Sequence, residues 1–173
     1  MEQVIPRLSV SGYFQILSRV LGEPRAFFVD LSETAAMKQA AGFLVVSSLF
    51  FAAAALLVHG FSNPAAISAV LFVNAIGMTF ISAGLGYALA IIVTDRQISF
   101  AQVFTVYAYA SGAVFLAAWI PLALFLTEPW KWWLIGTGLN RTCGVKRWHC
   151  LLIVGLSIGI LIAVFWSLLP IFS

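Results

Sequence analysis

The sequence predicts an all-α fold, namely a polytopic integral membrane helical bundle with five membrane segments preceded by N-terminal amphipathic helices. Hydrophobic residues make up 62% of the 173 residues, charged residues only 9%, and the mean hydropathy is +1.05. Soluble domains are about half apolar and about a quarter charged. Residues 39–94 contain no Asp, Glu, Lys or Arg, and neither do residues 148–173. Such long uncharged stretches exclude a soluble domain and indicate membrane-spanning helices.

Residues 1–38 are predicted to form a cytoplasmic N-terminal amphipathic segment, because they hold four of the nine basic and four of the six acidic residues. Apolar side chains recur every three or four positions between Val10 and Leu21, as on one face of a helix. A second short helix is predicted to start at Pro24 and to carry Phe27 on its apolar face. Such faces lie flat on lipid headgroups or pack against the protein's own transmembrane helices, and the pattern fits both.

Residues 39–173 form the predicted transmembrane domain. Twenty apolar residues in a helix, at 1.5 Å each, cover a bilayer core of roughly 30 Å. The fourth apolar stretch contains Glu128, Pro129 and Lys131, so we expect a short or broken helix there. The predicted spans are about residues 40–61, 65–94, 99–120, 124–140 and 149–169.

The distribution of Lys and Arg predicts the orientation, because cytoplasmic loops of membrane proteins are enriched in these residues. Five crossings with a cytoplasmic N-terminus leave only Lys131 outside, whereas four crossings would expose several basic residues in either orientation. We therefore predict five crossings and an extracytoplasmic C-terminus. The basic residues that this topology places inside are Arg7, Arg19, Arg25, Lys38, Arg96, Arg141, Lys146 and Arg147.

Three sequence elements follow one another along the chain. The first, LGEPRAFFVDL at residues 21–31, places a proline and two aromatic residues before the first span. The second, VYAYASGAVFLAAWIP at residues 106–121, places tyrosines and small residues in the third span ahead of a Trp-Ile-Pro element. The third, WWLIGTGLNRTCGVKRWHC at residues 132–150, combines tryptophans, a Gly-Leu pair and a short basic loop. In this order they resemble the bacterial branch of the Yip family, the small five-span membrane proteins named for interaction with Ypt/Rab GTPases.

This resemblance implies five helices with a cytoplasmic N-terminus, in agreement with the charge distribution, and a bacterial cytoplasmic (inner) membrane. Eukaryotic members of the family are linked to vesicle traffic and GTPase binding through a longer polar N-terminal region and an Asp-Leu-Tyr-Gly-Pro element, both missing here. A GTPase partner is therefore not expected. Bacterial members have no agreed biochemical activity, so the resemblance implies architecture more than mechanism.

The intramembrane polar residues are the first functional candidates, because a polar side chain surrounded by lipid is costly unless it finds a partner. Asn74 is predicted to lie near the bilayer centre, where its amide either holds two helices together or lines a polar site. Tyr107 and Tyr109 either join it in one network or bond their own helix backbones. The hydroxyls that we expect in the same network are those of Ser47, Ser48 and Ser111.

Glu128 and Lys131 are the remaining polar candidates. They lie three residues apart, so in a helix they share a face and can neutralise one another. Such a pair at membrane depth would suggest an ion or proton pathway. In the alternative interpretation the segment is an interfacial loop whose tryptophans anchor at headgroup level while the charges meet water.

Small residues are placed for close helix contacts. Gly155 and Gly159 form a small-xxx-small pattern in the last span, which lets two backbones approach closely. Either packing within the bundle or association with a second copy or another membrane protein would use it. The glycines predicted to serve these contacts are Gly77, Gly84, Gly86, Gly155 and Gly159.

A basic cluster consisting of Arg141, Lys146 and Arg147 precedes the last span. We predict that it fixes the topology and contacts anionic lipid headgroups. The nine basic residues of the chain are otherwise scattered, and the net charge is only +3. A nucleic-acid partner is therefore not expected, because tracking phosphates requires a concentrated basic face.

The sequence carries no motif for a metal, a cofactor or a catalytic residue. His59 is predicted to lie a full membrane thickness away from Cys143, His149 and Cys150, so these four residues do not form a metal site. The leading prediction is a non-enzymatic membrane scaffold or accessory protein that binds membrane lipids and other membrane proteins or itself. The alternative is a transporter or channel for a small molecule, an ion or a lipid, with the polar candidates lining its path.

Overall fold

The structure, a computed structural model, describes residues 9–31, 33–58, 63–94, 97–120 and 122–172. All regular secondary structure in these ranges is helical. In chain order the helices are α1 (Val10–Gly22), α2 (Pro24–Val29), α3 (Glu33–Val58), α4 (Pro64–Val93), α5 (Phe100–Phe115), α6 (Leu124–Thr142) and α7 (Arg147–Phe172).

Three helices in the described part are long and apolar enough to cross a membrane. They are α4 and the stretches Met37–Val58 of α3 and Arg147–Ser167 of α7. Helix α5 is apolar but has 16 residues, or about 24 Å. Helix α6 has 19 residues and contains charged side chains. The predicted helical membrane bundle is confirmed, while the crossing of the bilayer by α5 and α6 stays a prediction.

The local sequence explains where α4 and α5 begin. The Asn63 side-chain oxygen accepts a hydrogen bond from the Ala66 N–H at 3.3 Å, and Pro64 occupies the first turn. At the start of α5, Ser99 and Gln102 form a capping box in which each side chain accepts from the other residue's backbone N–H at 3.2 Å. Backbone donors that the helices leave free at these ends are thereby satisfied.

Helix α5 forms the centre of the bundle. Every residue from Val103 to Val114 is buried, and α5 packs against α1, α3, α4 and α6. Its contact with α3 requires Gly112, since a Cβ there would lie 2.8 Å from the Phe43 ring. Such close approach through small residues is typical of helices in membranes.

The ring contacts show the relative directions of the helices around α5. Phe43 lies against Tyr109 and Phe51 against Phe115, so α3 and α5 run in the same direction. Helix α4 runs in the opposite direction, because its earlier Phe80 meets Phe104 whereas its later Tyr87 meets Phe100. This alternation is what successive membrane crossings require.

Helix α5 ends earlier than the predicted third span, which extended to residue 120. After Phe115 the chain continues in turns, with Ala117 N–H donating to the Val114 carbonyl and Ile120 N–H to the Ala117 carbonyl. Ile120 precedes a proline in the sequence, and a residue before proline disfavours helical backbone angles. Hydropathy detects the apolar side chains of this stretch but not the end of the helix.

Helix α6 continues through Pro129 from Leu124 to Thr142. The helix is not broken at the proline, and its 19 residues cover about 28 Å. Because Pro129 has no N–H, the carbonyl of Phe125 lacks its usual helical donor. At the other end, Gly144 has φ of 64°, an angle that glycine adopts without strain. This residue turns the chain sharply into α7.

Helix α1 packs against α2 and α5 and contacts α3 through Tyr13. The Tyr13 ring stacks on Phe43 with centroids 4.8 Å apart, and its hydroxyl is hydrogen-bonded to Ser47 at 2.9 Å. Ser47 lies near the middle of the Met37–Val58 stretch, so Tyr13 contacts the middle of a candidate membrane span. Of the two arrangements that the sequence left open, the structure therefore shows packing against the protein's own helices.

Candidate functional site

A cavity of about 540 Å³, with a mostly apolar wall that carries several polar side chains, lies between α4, α5, α6 and α7. Its lining comes from the part of the bundle where α5 ends and α6 begins, and it includes Phe51 near the end of α3. The cavity brings together four of the five predicted polar candidates, although they are far apart in the sequence. Its polar lining consists of Asn74, Thr79, Ser82, Tyr107, Ser111, Glu128 and Lys131.

Glu128 and Lys131 form an ion pair on the cavity wall. The Lys131 Nζ lies 2.7 Å from Glu128 Oε1 and 2.6 Å from Oε2, so the ammonium contacts both carboxylate oxygens. The Lys131 side chain is 20% exposed and that of Glu128 46%. The ammonium also lies 5.2 Å from the ring centroid of Trp132, within the range of a cation–π contact. The local backbone is helical, so the two charges share a face of α6.

Asn74 lies on the opposite wall, on α4. Its side chain is exposed in the single chain, and it makes no hydrogen bond with another described residue. Within the described chain this amide does not bond α4 to a neighbouring helix. Whether it holds a partner helix or lines a polar site stays a prediction.

Tyr107 is fully buried at the side of the cavity formed by α5. Its hydroxyl lies close to the Ser157 hydroxyl on α7, although the two do not meet the geometry of a full hydrogen bond. Tyr107 is held tightly against α4, because a Cβ on Gly86 would overlap its oxygen and lie 2.7 Å from its Cζ. Since buried hydroxyls are normally hydrogen-bonded, a small movement would let Tyr107 and Ser157 bond to one another.

Tyr109 lies apart from this cavity. Its ring contacts Phe27 edge-on at 5.0 Å and Phe43 at 5.4 Å, so it joins α5 to the N-terminal helices. Of the serines expected in the same network, Ser47 is bonded to Tyr13, and the Ser48 hydroxyl has no partner among the described residues. The single network expected from the sequence is thus divided between two places.

The predicted packing glycines also separate into two groups. Gly86 makes the close contact with Tyr107, but an added Cβ at each of the others would meet no atom within 4 Å. These positions border open space around the single chain, and whether a partner helix fills it stays a prediction. The glycines of the second group are Gly77, Gly84, Gly155 and Gly159.

The predicted headgroup residues, Arg141, Lys146 and Arg147, are all exposed around the turn between α6 and α7. Arg141 and Arg147 line a groove of about 310 Å³ together with Arg25 of α2. Lys146 does not line this groove. Arg25 was missed as a member of the group, because no local pattern shows that α2 docks beside α6.

Cys143 and Cys150 are buried free thiols. Burial raises the pKa of Cys143, which follows the last residue of α6, to about 12, and the neighbouring Cys150 contributes to the shift. Among the described residues no three His, Cys, Asp or Glu side chains form a cluster able to hold a metal ion. His59 lies outside the described residues.

The family model for the Yip1 domain matches residues 18–169, which is most of the chain. No curated protein and no solved structure gives a match. The matched region includes α2 to α6 and nearly all of α7, and it contains the three sequence elements on which the resemblance was based. The chain therefore belongs to the Yip family.

Proposed function

We propose that this protein is a non-enzymatic membrane scaffold or accessory protein that associates with other membrane proteins or with a second copy of itself. In this proposal it lies in the cytoplasmic membrane, with its N-terminus in the cytoplasm and its C-terminus outside. Membership of a membrane protein family supports the location, and the outward face of α7 supports the association.

The observation that carries the proposal is the position of Gly155 and Gly159 on α7. Ile153 and Ser157 on the same helix are buried against the bundle, whereas both glycines are exposed. Each glycine lies two residues beyond a buried position, or about 200° around a helix. The small-xxx-small face therefore points away from the protein's own core. It leaves backbone accessible to a second helix at close range.

The test is association of the full chain in mild detergent, followed by cross-linking in membranes and identification of the cross-linked species. We expect Gly159→Leu to abolish most of the cross-linked complex, because the leucine side chain separates the two backbones. Ile160→Ala is the matched control, since it changes the neighbouring exposed side chain and leaves the glycine face intact. Equal complex formation by wild type and Gly159→Leu would refute this proposal.

A second candidate function, transport of a small polar solute or an ion, is favoured by the cavity itself. The ion pair of Glu128 and Lys131, the amide of Asn74 and the hydroxyl of Ser111 line one cavity whose wall is otherwise mostly apolar. Polar groups at membrane depth are typical of transport pathways.

Flux into liposomes tests this candidate, with a pH-sensitive dye trapped inside to report protons. We expect Glu128→Gln to change the flux at normal protein abundance, because it removes the negative charge next to Lys131. Leu126→Ala, on an exposed part of the same helix, is the control. Wild-type flux in the Glu128→Gln protein would eliminate a transport role for this pair.

A further inference from the structure

The groove bordered by Arg25, Arg141 and Arg147 has a basic end and an apolar wall. The three arginines come from α2, α6 and α7 respectively, and no acidic residue lines the groove. Its wall is formed by tryptophan and aliphatic side chains, together with the smaller Gly136 and Thr137. The apolar side chains of this wall include Trp132, Trp133, Leu151 and Val154.

The three guanidinium groups lack a negative partner in the described part of the chain. Arg19, by contrast, is paired with Asp30 at 2.6 Å. No such ion pair involves Arg25, Arg141 or Arg147 among the described residues, and all three are exposed. Three like charges around one groove repel one another, so an anion placed between them would be stabilised by all three.

Two local features bring the arginines together. The Thr142 hydroxyl donates a hydrogen bond of 2.8 Å to the Phe28 carbonyl, which fixes α2 against the end of α6. Arg25 lies one helical turn before Phe28 and is thereby held near Arg141. The sharp turn at Gly144, supported by a 2.7 Å hydrogen bond from the Asn140 amide to the Val145 carbonyl, places the start of α7 next to the end of α6.

We propose that this groove binds one anionic phospholipid, with its phosphate among the three arginines and an acyl chain along the apolar wall. Arginine suits the phosphate because its planar guanidinium donates two parallel hydrogen bonds to phosphate oxygens. Trp132 and Trp133 lie near the middle of α6, about 12 Å along the helix from Arg141, so their rings would contact the acyl chain below the headgroup. Basic pockets between transmembrane helices are typical sites for anionic headgroups.

The groove shares α7 with the proposed association, since Leu151 lies one helical turn before Gly155, but neither Gly155 nor Gly159 lines it. The arginine variants therefore test lipid binding separately from Gly159→Leu. The sequence predicted only that basic residues contact lipid headgroups. The proposed site is more specific, because it binds one lipid and includes Arg25 of the N-terminal segment. A bound lipid would connect α2 with α6 and α7 through the shared phosphate. Loss of the lipid would then loosen α2 while the long helices remain packed.

Native mass spectrometry of the full chain in mild detergent, titrated with phosphatidylglycerol or phosphatidylethanolamine, tests the proposal. We expect one phosphatidylglycerol bound in preference to phosphatidylethanolamine. Each of Arg25→Gln, Arg141→Gln and Arg147→Gln should weaken this binding about fivefold, the effect typical of one basic residue at an anionic membrane surface. Lys38→Gln removes an exposed positive charge on α3, outside the groove, and should leave binding unchanged. An equal loss with Lys38→Gln would show diffuse attraction and overturn the proposal.

The apolar wall has its own test. Val154→Phe should reduce the binding of phosphatidylglycerol by filling the groove while all three arginines remain. Leu151→Trp is the second variant, chosen because Leu151 is 63% exposed and its replacement does not disturb the core. Glycerol phosphate, which lacks acyl chains, should not displace the lipid at equal concentration. Displacement by glycerol phosphate, or full binding in both wall variants, would mean that the groove does not hold a lipid.

Discussion

At the scale of single residues, the structure distinguishes glycines that look equivalent in the sequence. Gly84 and Gly86 lie two positions apart on α4, yet a Cβ on Gly84 would meet open space and one on Gly86 would collide with Tyr107. Gly138, which the sequence did not single out for packing, is equally restricted, because its Cβ would lie 2.9 Å from Val106 Cγ2 and 3.2 Å from the Phe28 ring.

Gly86→Ala should therefore destabilise the protein, by about 1 to 3 kcal/mol, because the rigid and fully buried Tyr107 ring has no room to move aside. Gly84→Ala should be neutral or slightly stabilising, since alanine favours a helix over glycine. Thermal unfolding in detergent, followed by circular dichroism, measures both. Equal apparent Tm values for the two variants would contradict the packing at Gly86.

Cys143 should react slowly with maleimides at neutral pH. Burial raises the pKa of this thiol to about 12. At pH 7 its thiolate fraction is therefore roughly a thousandfold lower than that of a cysteine with an ordinary pKa. The thiolate fraction, and with it the labelling rate, should rise about tenfold per pH unit until the pKa is reached. A Cys150→Ala protein isolates this thiol in the measurement. Rapid labelling at pH 7 that levels off above pH 9 would show an accessible thiol of ordinary pKa.

At the scale of elements, the N-terminal helix α1 is part of the bundle. Tyr13, Ile16 and Val20 are buried, whereas Val10 and Phe14 on the same helix are 78% and 61% exposed. The buried positions recur at three and four residue steps, as a helix packed along one face requires. Helix α1 is thus anchored to the bundle by one face and leaves other apolar side chains exposed.

Tyr13→Ala should release α1 from α3, because it removes both the ring stacked on Phe43 and the hydroxyl bonded to Ser47. We expect a loss of about 2 to 4 kcal/mol in the free energy of unfolding and faster proteolysis within α1. Phe14→Ala is the matched control, since that aromatic side chain is mostly exposed. The same proteolysis rate in both variants would mean that Tyr13 does not anchor the helix.

Much of the order of the helices could be predicted from hydropathy and charge. Helices α3, α4 and α7 illustrate this, because a long run of apolar residues without charges indicates a membrane-spanning helix. The placement of α1 could not be predicted, since its amphipathic pattern suits a headgroup layer and a helical neighbour equally well. The early end of α5 was missed for a different reason, because apolar side chains continue beyond the last helical residue, Phe115.

The candidate sites could be predicted only in part. Asn74, Glu128 and Lys131 stand out as polar residues in apolar surroundings, but nothing in the sequence shows that they face the same cavity as Tyr107. Arg25 and Arg141 are separated by more than a hundred residues, and only the docking of α2 on α6 brings them to one groove.

At the scale of the whole molecule, the bundle is organised around the short helix α5. It is the helix buried on all sides, with α3 running parallel to it and α4 antiparallel. The longer α4 and α7 are mostly exposed in the single chain, as helices facing lipid are expected to be. A central helix of 16 residues suits a bilayer crossing only if the turns that follow it also lie within the membrane.

Cysteine accessibility on both sides of α5 and α6 measures this topology directly. Gln97→Cys, Leu122→Cys and Lys146→Cys, each in a chain whose native cysteines are replaced by alanine, mark the start of α5, the junction with α6 and the turn after α6. With a membrane-impermeant maleimide added to intact cells, we expect labelling at position 122 alone, and labelling at 97 and 146 only after the membrane is opened. Labelling of all three positions from the same side would show that α5 and α6 do not cross the bilayer.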